Sequence, residues 1–160
     1  STRWRCGSEI RRFTSALAVG DALFFGRCMM GQAWWIFLGG GLGALSRWWV
    51  SGWVATRVGE TFPWGTMVVN VSGTLFAGFL AGLMVPEGRW WPSPELRQFL
   101  LLGFCGGYTT FSSFSLQTLS LLQDGEWLAS AGNVFASVIL CLLAVWFGHA
   151  LALWLQALKG

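Results

Sequence analysis

Three groups of residues in this chain have the types and spacing to hold or pass a small solute. Thr66, Asn70 and Thr74 recur at intervals of four, as do Asn133, Ser137 and Cys141, so each set stacks along one face of a helix. An amide can donate two hydrogen bonds to an anion and a hydroxyl one. On spacing alone the 133–141 set reads as hydrogen bonding between helices, and Asn70 reads either as such a bond or as a ligand for something passing by. The third group is the run Gly103-Phe104-Cys105-Gly106-Gly107-Tyr108-Thr109-Thr110-Phe111-Ser112-Ser113-Phe114-Ser115. Adjacent glycines followed by five Thr or Ser interleaved with two Phe are poor material for an unbroken helix, and the run predicts a break. Broken backbone can line a cavity, where freed carbonyls hold a cation, or it can be a glycine-rich kink packed on a neighbour. Phe111 and Phe114 share a face of whatever helix resumes; aromatic edges are positive and can stabilise an anion, although core packing is the usual job of such a pair.

Acid–base and nucleophilic chemistry have no such residues. The one histidine, His149, sits near the end of the last apolar run as a headgroup-level or packing residue, and no carboxylate lies inside a run, so neither an enzyme nor a proton-coupled pump is expected. Cys6, Cys28, Cys105 and Cys141 show no metal spacing and read as small apolar residues.

The elements that must position these residues follow from composition. The 160 residues are 54% hydrophobic and 11% charged, with 12 Trp and 13 Phe. A soluble domain carries roughly 25% charged residues, so the chain belongs in a bilayer. A net charge of +3 spread over scattered arginines excludes a nucleic-acid groove. Charge-free runs cover Thr61–Pro86 and Gln98–Gln123, each 26 residues, and Trp127–Leu158; Trp34–Thr56 is interrupted by Arg47 alone. Each exceeds the ~20 residues that cross the hydrocarbon core. Four helices are predicted, at 34–56, 64–84, 98–123 and 131–157, joined by short linkers at Arg57–Pro63, Val85–Arg97 and Asp124–Trp127, with tryptophans clustered at their ends as an aromatic belt. Arg47 lies about 20 Å into its helix, where it either snorkels or raises the anion concentration in a vestibule.

Residues 1–33 form an N-terminal extension of doubtful status. Four arginines precede an apolar stretch, Phe13–Phe25, that is too short to span and contains Asp21; the lack of a clear cleavage pattern argues against a signal peptide. Met29 and Met30 suggest an upstream extension or a late true start. Residues 34–158 form a single membrane domain, multi-pass in the cell (inner) membrane. Without the extension, Arg89, Arg97 and Lys159 face Arg57 across the membrane, a weak bias that would permit insertion both ways up and an antiparallel dimer; its five arginines would instead hold the termini inside.

In order and content the motifs Gly39-Gly40-Gly41-Leu42-Gly43-Ala44-Leu45-Ser46-Arg47-Trp48, Pro63-Trp64-Gly65-Thr66-Met67-Val68-Val69-Asn70-Val71-Ser72-Gly73, Gly103–Ser115 and Asn133–Ser137 resemble the Fluc/CrcB fluoride channels over residues 34–158. The resemblance implies an all-α membrane protein: a dual-topology homodimer of two inverted four-helix subunits, each with a broken third helix, exporting fluoride passively through two pathways around a structural sodium ion. It implies that carbonyls of Gly106 and Thr109 hold the sodium, that Phe111 and Phe114 present ring edges, that Asn70 is the anion-binding amide, and that Ser112, Ser113, Ser137 and Thr66 form a polar track. Asn133 and Cys141 take no role from it. Where the family often has a Glu, this chain has Gln117, which removes a charge near the mouth and puts any gating linked to that acid in doubt. Two other classes remain: a small-multidrug-type exporter, which needs a carboxylate where the first span has Arg47, and a non-conducting packing subunit, which needs every polar side chain satisfied by protein.

Overall fold

A computed structural model describes residues 19–85 and 92–158, with side chains from residue 31 onward. Arg3, Arg5, Arg11, Arg12, Arg89 and Lys159 lie outside the described residues, and with them most of the charge count on which orientation rests. All described regular structure is helical: α1 (Val19–Val58), α2 (Trp64–Leu83), α3 (Pro94–Arg97), a π-helical stretch (Gln98–Cys105), α4 (Gly106–Tyr108), α5 (Phe111–Gln123) and α6 (Trp127–Ala157).

The ends follow local chemistry. Gly59 at φ +92° closes α1 by donating its N–H to the Ala55 carbonyl, with Arg57 in the last turn where a cation suits the helix dipole. Ser93 accepts a hydrogen bond from the Leu96 N–H and Pro94 occupies the first turn, so this helix begins four residues before the expected 98. Gly125, at φ +80°, turns the chain between α5 and α6, and α6 begins at Trp127 rather than 131. Thr109 and Thr110 are extended, with φ/ψ of −76°/155° and −150°/116°, between α4 and α5.

Trp64–Leu83, Pro94–Gln123 and Trp127–Ala157 are long and apolar enough to cross a membrane. The expected first span, 34–56, lies inside the longer α1, which is not among them. Within 34–56, five Trp, five Gly and Arg47 keep the mean hydropathy down despite the length of α1.

Packing is inverted relative to a water-soluble bundle. The residues α6 buries are Ser130, Asn133, Ser137, Ala144, Gly148 and Ala152, while Leu142, Trp146 and Phe147 point outward. Hydrocarbon solvates a leucine as well as protein does, so small residues that let backbones approach are what hold membrane helices together. Gly39 and Gly43 of α1 lie against the backbone of Phe99, Phe104 and Tyr108, and Gly78 of α2 against the Val145 carbonyl. Gly82 lies against the Ala152 methyl and the His149 carbonyl, so Gly39/Gly43 and Gly78/Gly82, each a pair four residues apart, both sit at helix contacts. The π-helical stretch, where Gly106 N–H reaches the carbonyls of Gly103 and Leu101, packs on α1 at this seam.

A β-carbon on Gly148 would collide with the Leu75 carbonyl oxygen, whereas Gly132 on the same helix has open space beside it. Gly148→Ala is expected to cost about 1–3 kcal/mol through overpacking, and Gly132→Ala to be neutral or to gain up to about 1 kcal/mol of helix propensity. Thermal unfolding in detergent checks the pair, and equal shifts would contradict the assigned contact.

Candidate functional site

The site is built around one side chain and one backbone unit. Asn70, half-buried on α2, donates from Nδ2 to the Thr110 carbonyl at 3.0 Å and accepts the Thr110 N–H on Oδ1 at 2.7 Å. This two-bond clamp holds the extended residues between α4 and α5. It uses one of the two amide N–H donors, leaving the second uncommitted by the clamp. Both alternatives for Asn70 left open by spacing thus have a physical basis in one side chain.

The clamp also alters the backbone ladder. In a continuous α-helix the Thr110 N–H would bond the Gly106 carbonyl; here that N–H goes to Asn70, which releases the carbonyl. Gly106 is exposed, and Thr109 carries its N–H and its hydroxyl back to the Cys105 carbonyl, both at 3.0 Å. Among the described residues no group of three His, Cys, Asp or Glu could hold a metal. The donors near the clamp are neutral carbonyl oxygens, a set that suits a hard monovalent cation.

Thr110 also caps α5. Its Oγ1 accepts the Ser113 N–H at 3.2 Å and pairs with the hydroxyls of Ser112 and Ser113 at 3.2 and 3.1 Å. Two cavities meet at this residue. One, of about 650 Å³, is lined by Arg47, Glu60, Thr66, Ser113 and Gln117 as well as Thr110. The other, about 250 Å³, brings together Asn70, Thr74, Phe111, Phe114, Ser137 and Cys141, along with both threonines of the extended segment. The two polar rows read from the sequence therefore converge on one groove, with no charged side chain in its lining.

The two phenylalanines are in ring contact, with centroids 5.2 Å apart and planes at 43°, yet differ in environment: Phe111 is 76% exposed and Phe114 only 8%. Ser112 is exposed and lines neither cavity; Gly106 lines neither. Thr66 and Ser113 belong to the larger cavity and Ser137 to the smaller. Asn133 has the structural role that spacing suggested. Ser137 donates to its Oδ1 at 3.3 Å, its Nδ2 donates to Thr118 Oγ1 at 2.9 Å, and Thr118 donates to the Phe114 carbonyl at 2.7 Å, tying α6 to α5 behind Phe114.

Thr110 and Thr118 carry more of the site than spacing alone suggested. The Thr110-x-x-Ser113 pattern at a helix start was the available signal for the first; Thr118 had none, because its partner comes from another helix.

The model of the family described as CrcB-like protein, Camphor Resistance (CrcB), matches residues 34–149. The chain is 56% identical over 126 residues, 79% of its length and 96% of the relative's, to a fluoride-specific ion channel FluC of Opitutus terrae. It is 49% identical with the same coverage to the FluC of Methylocella silvestris, and 53% identical over 111 residues, 69% of this chain and 86% of the relative, to that of Rhodospirillum rubrum.

Asn70→Asp would keep the acceptor toward the Thr110 N–H but set a second oxygen against the Thr110 carbonyl. A loss of about 1–3 kcal/mol is expected from the unmade bond, read as a lower thermal midpoint in detergent; an unchanged midpoint would show that the clamp does not hold the segment.

Proposed function

The chain belongs to the CrcB family, and we propose that this multi-pass membrane protein is a fluoride-selective passive channel. Its path would run from the Arg47 cavity past Thr110 into the groove beneath Asn70, Phe111 and Phe114. The observation that carries the proposal is the convergence of both polar rows and the phenylalanine pair on a groove without a formal charge. Fluoride is small and strongly hydrated, so a selective path must replace its water with close donors while remaining too narrow for larger halides. The remaining Asn70 N–H, the hydroxyls of Thr66 and Ser113, and the positive edges of Phe111 and Phe114 would supply those donors, with Ser137 adding its own only by giving up its bond to Asn133. Neutral dipoles bind weakly enough to let the ion go, which conduction requires. Export is then passive, driven by the gradient and the membrane potential.

Residues 34–158 would form the channel unit, with 1–33 outside it, in the cell (inner) membrane. The extended Thr109–Thr110 pair would act as a break in the third span, and the freed Gly106 carbonyl would hold a structural sodium ion together with the carbonyl of Thr109. Bound there, the cation would neutralise the unpaired carbonyl dipoles. A second, inverted copy would complete the assembly and cover the exposed Phe111, giving an antiparallel dual-topology homodimer. One observation favours a non-conducting packing subunit instead: Asn70, Thr74, Thr109, Thr110 and Ser137 all have hydrogen-bond partners within the chain.

Flux separates the two readings. Liposomes carrying the purified protein and loaded with potassium fluoride and chloride are expected to release fluoride and retain chloride when assayed with ion-selective electrodes. Equal release of both halides, or of neither, would overturn the assignment. In the same assay Phe114→Ile is expected to slow fluoride efflux by up to about tenfold, the upper worth of a single aromatic contact, while cross-linking still yields a dimer; unchanged efflux would remove the ring-edge role.

A further inference from the structure

The loop between α1 and α2 carries a charge that the conduction path does not need. Glu60, exposed on that loop, lines the 650 Å³ cavity together with Arg47 from α1. It also lines a neighbouring cavity of about 450 Å³, where Asp124 and Glu126 from the α5–α6 turn join it. Gln117 and Pro63 are common to both cavities. Arg57, the other cation near this end, lies over the Trp53 ring at 5.2 Å. No ion pair joins Arg47 to Glu60 among the described residues, so neither charge cancels the other by contact. The side-chain amide oxygen of Gln117 is buried without a hydrogen-bond partner among those residues.

We propose that Glu60 is an electrostatic brake on anion entry, its carboxylate opposing Arg47 across the cavity they share. The inference rests on the channel reading. Glu60 lies on the exposed loop beyond α1, whereas Arg47 lies eleven residues before the end of that helix, so an anion entering from the loop end meets the carboxylate first, and its negative charge lowers the local anion concentration. At separations of about 8–10 Å in a water-filled mouth, one unit charge changes that concentration roughly two- to threefold. The effect fades as ionic strength rises, since the screening length falls from about 30 Å at 0.01 M to about 3 Å at 1 M. Glu60 therefore sets the rate at low salt and low fluoride, where entry limits flux, and leaves the selective groove untouched.

The test compares wild type, Glu60→Gln and Glu60→Lys in liposomes, with fluoride efflux measured at sub-saturating fluoride and ionic strength held near 0.01 M or raised to about 1 M with potassium gluconate. At low ionic strength Glu60→Gln is expected to run about two- to threefold faster than wild type and Glu60→Lys faster still, with all three converging at high ionic strength. A Glu60→Gln efflux equal to or slower than wild type, or an advantage that persists undiminished at high ionic strength, overturns the brake while leaving the channel assignment standing. Absence of efflux from the wild type itself overturns the channel assignment and the brake with it.

Discussion

The pair of hydrogen bonds between the Asn70 amide and the Thr110 peptide is the interaction on which the site depends. Hydrocarbon offers no partner to a stray N–H or C=O, so irregular backbone at membrane depth needs a protein group to satisfy it. A carboxylate could accept but not donate, and a hydroxyl is too short to bridge both peptide atoms; an amide presents both functions in one plane. The clamp then has two consequences. It commits one donor and leaves another uncommitted, and it takes the N–H that a continuous helix would return to Gly106. An uncommitted amide N–H and a released carbonyl oxygen arise from the same substitution of a side chain for a ladder rung.

That substitution requires α2 to lie close to the extended segment, and glycine makes the approach possible. Gly73, three residues after Asn70, faces the Thr109 methyl and the Tyr108 ring, and Ser72 pairs with the Tyr108 hydroxyl at 3.0 Å. On the other side, Gly39 and Gly43 bring α1 against the backbone of 99–108. The segment is held between two glycine-lined helices, and large side chains are displaced to the outer surface, where hydrocarbon accepts them at no loss.

Much of this was legible in the sequence because it is periodic. Charge-free runs located α2, the third span and α6; intervals of four placed Asn70 with Thr74 and Asn133 with Ser137 and Cys141 on their faces; and the Gly-Gly-Tyr-Thr-Thr-Phe run marked where helix geometry fails. Contacts between elements were not legible. Whether Asn70 met a peptide, an ion or both depends on what α2 faces, and the Asn133–Thr118 bond depends on how α5 crosses α6. The π-helical stretch Gln98–Cys105, in which Gly103 seats on Gly39 of α1, left no trace either, since no residue preference in QFLLLGFC marks wide turns. The first helix shows the limit of hydropathy: α1 has the length to span, but its glycines, of which Gly39 and Gly43 serve packing, join its tryptophans and Arg47 in lowering the average that identifies a span.

Charge and confinement are arranged in opposite directions along the two joined cavities. The larger space contains both formal charges, Arg47 and Glu60, where water can solvate them; the smaller one has amide, hydroxyl, thiol, ring and aliphatic groups and no formal charge. Burying a charge in the smaller space would cost several kcal/mol unless it were paired, and a pair there would occupy the room an ion needs. A fixed cation in that groove would also bind a dehydrated anion too tightly to release it. Dipoles avoid both difficulties, because each is satisfied in part by the protein and strengthens only when an ion takes the remaining donor. In the proposed channel Asn70 would meet this condition: its clamp orients the amide in advance, so the uncommitted N–H would need no reorganisation to meet an ion.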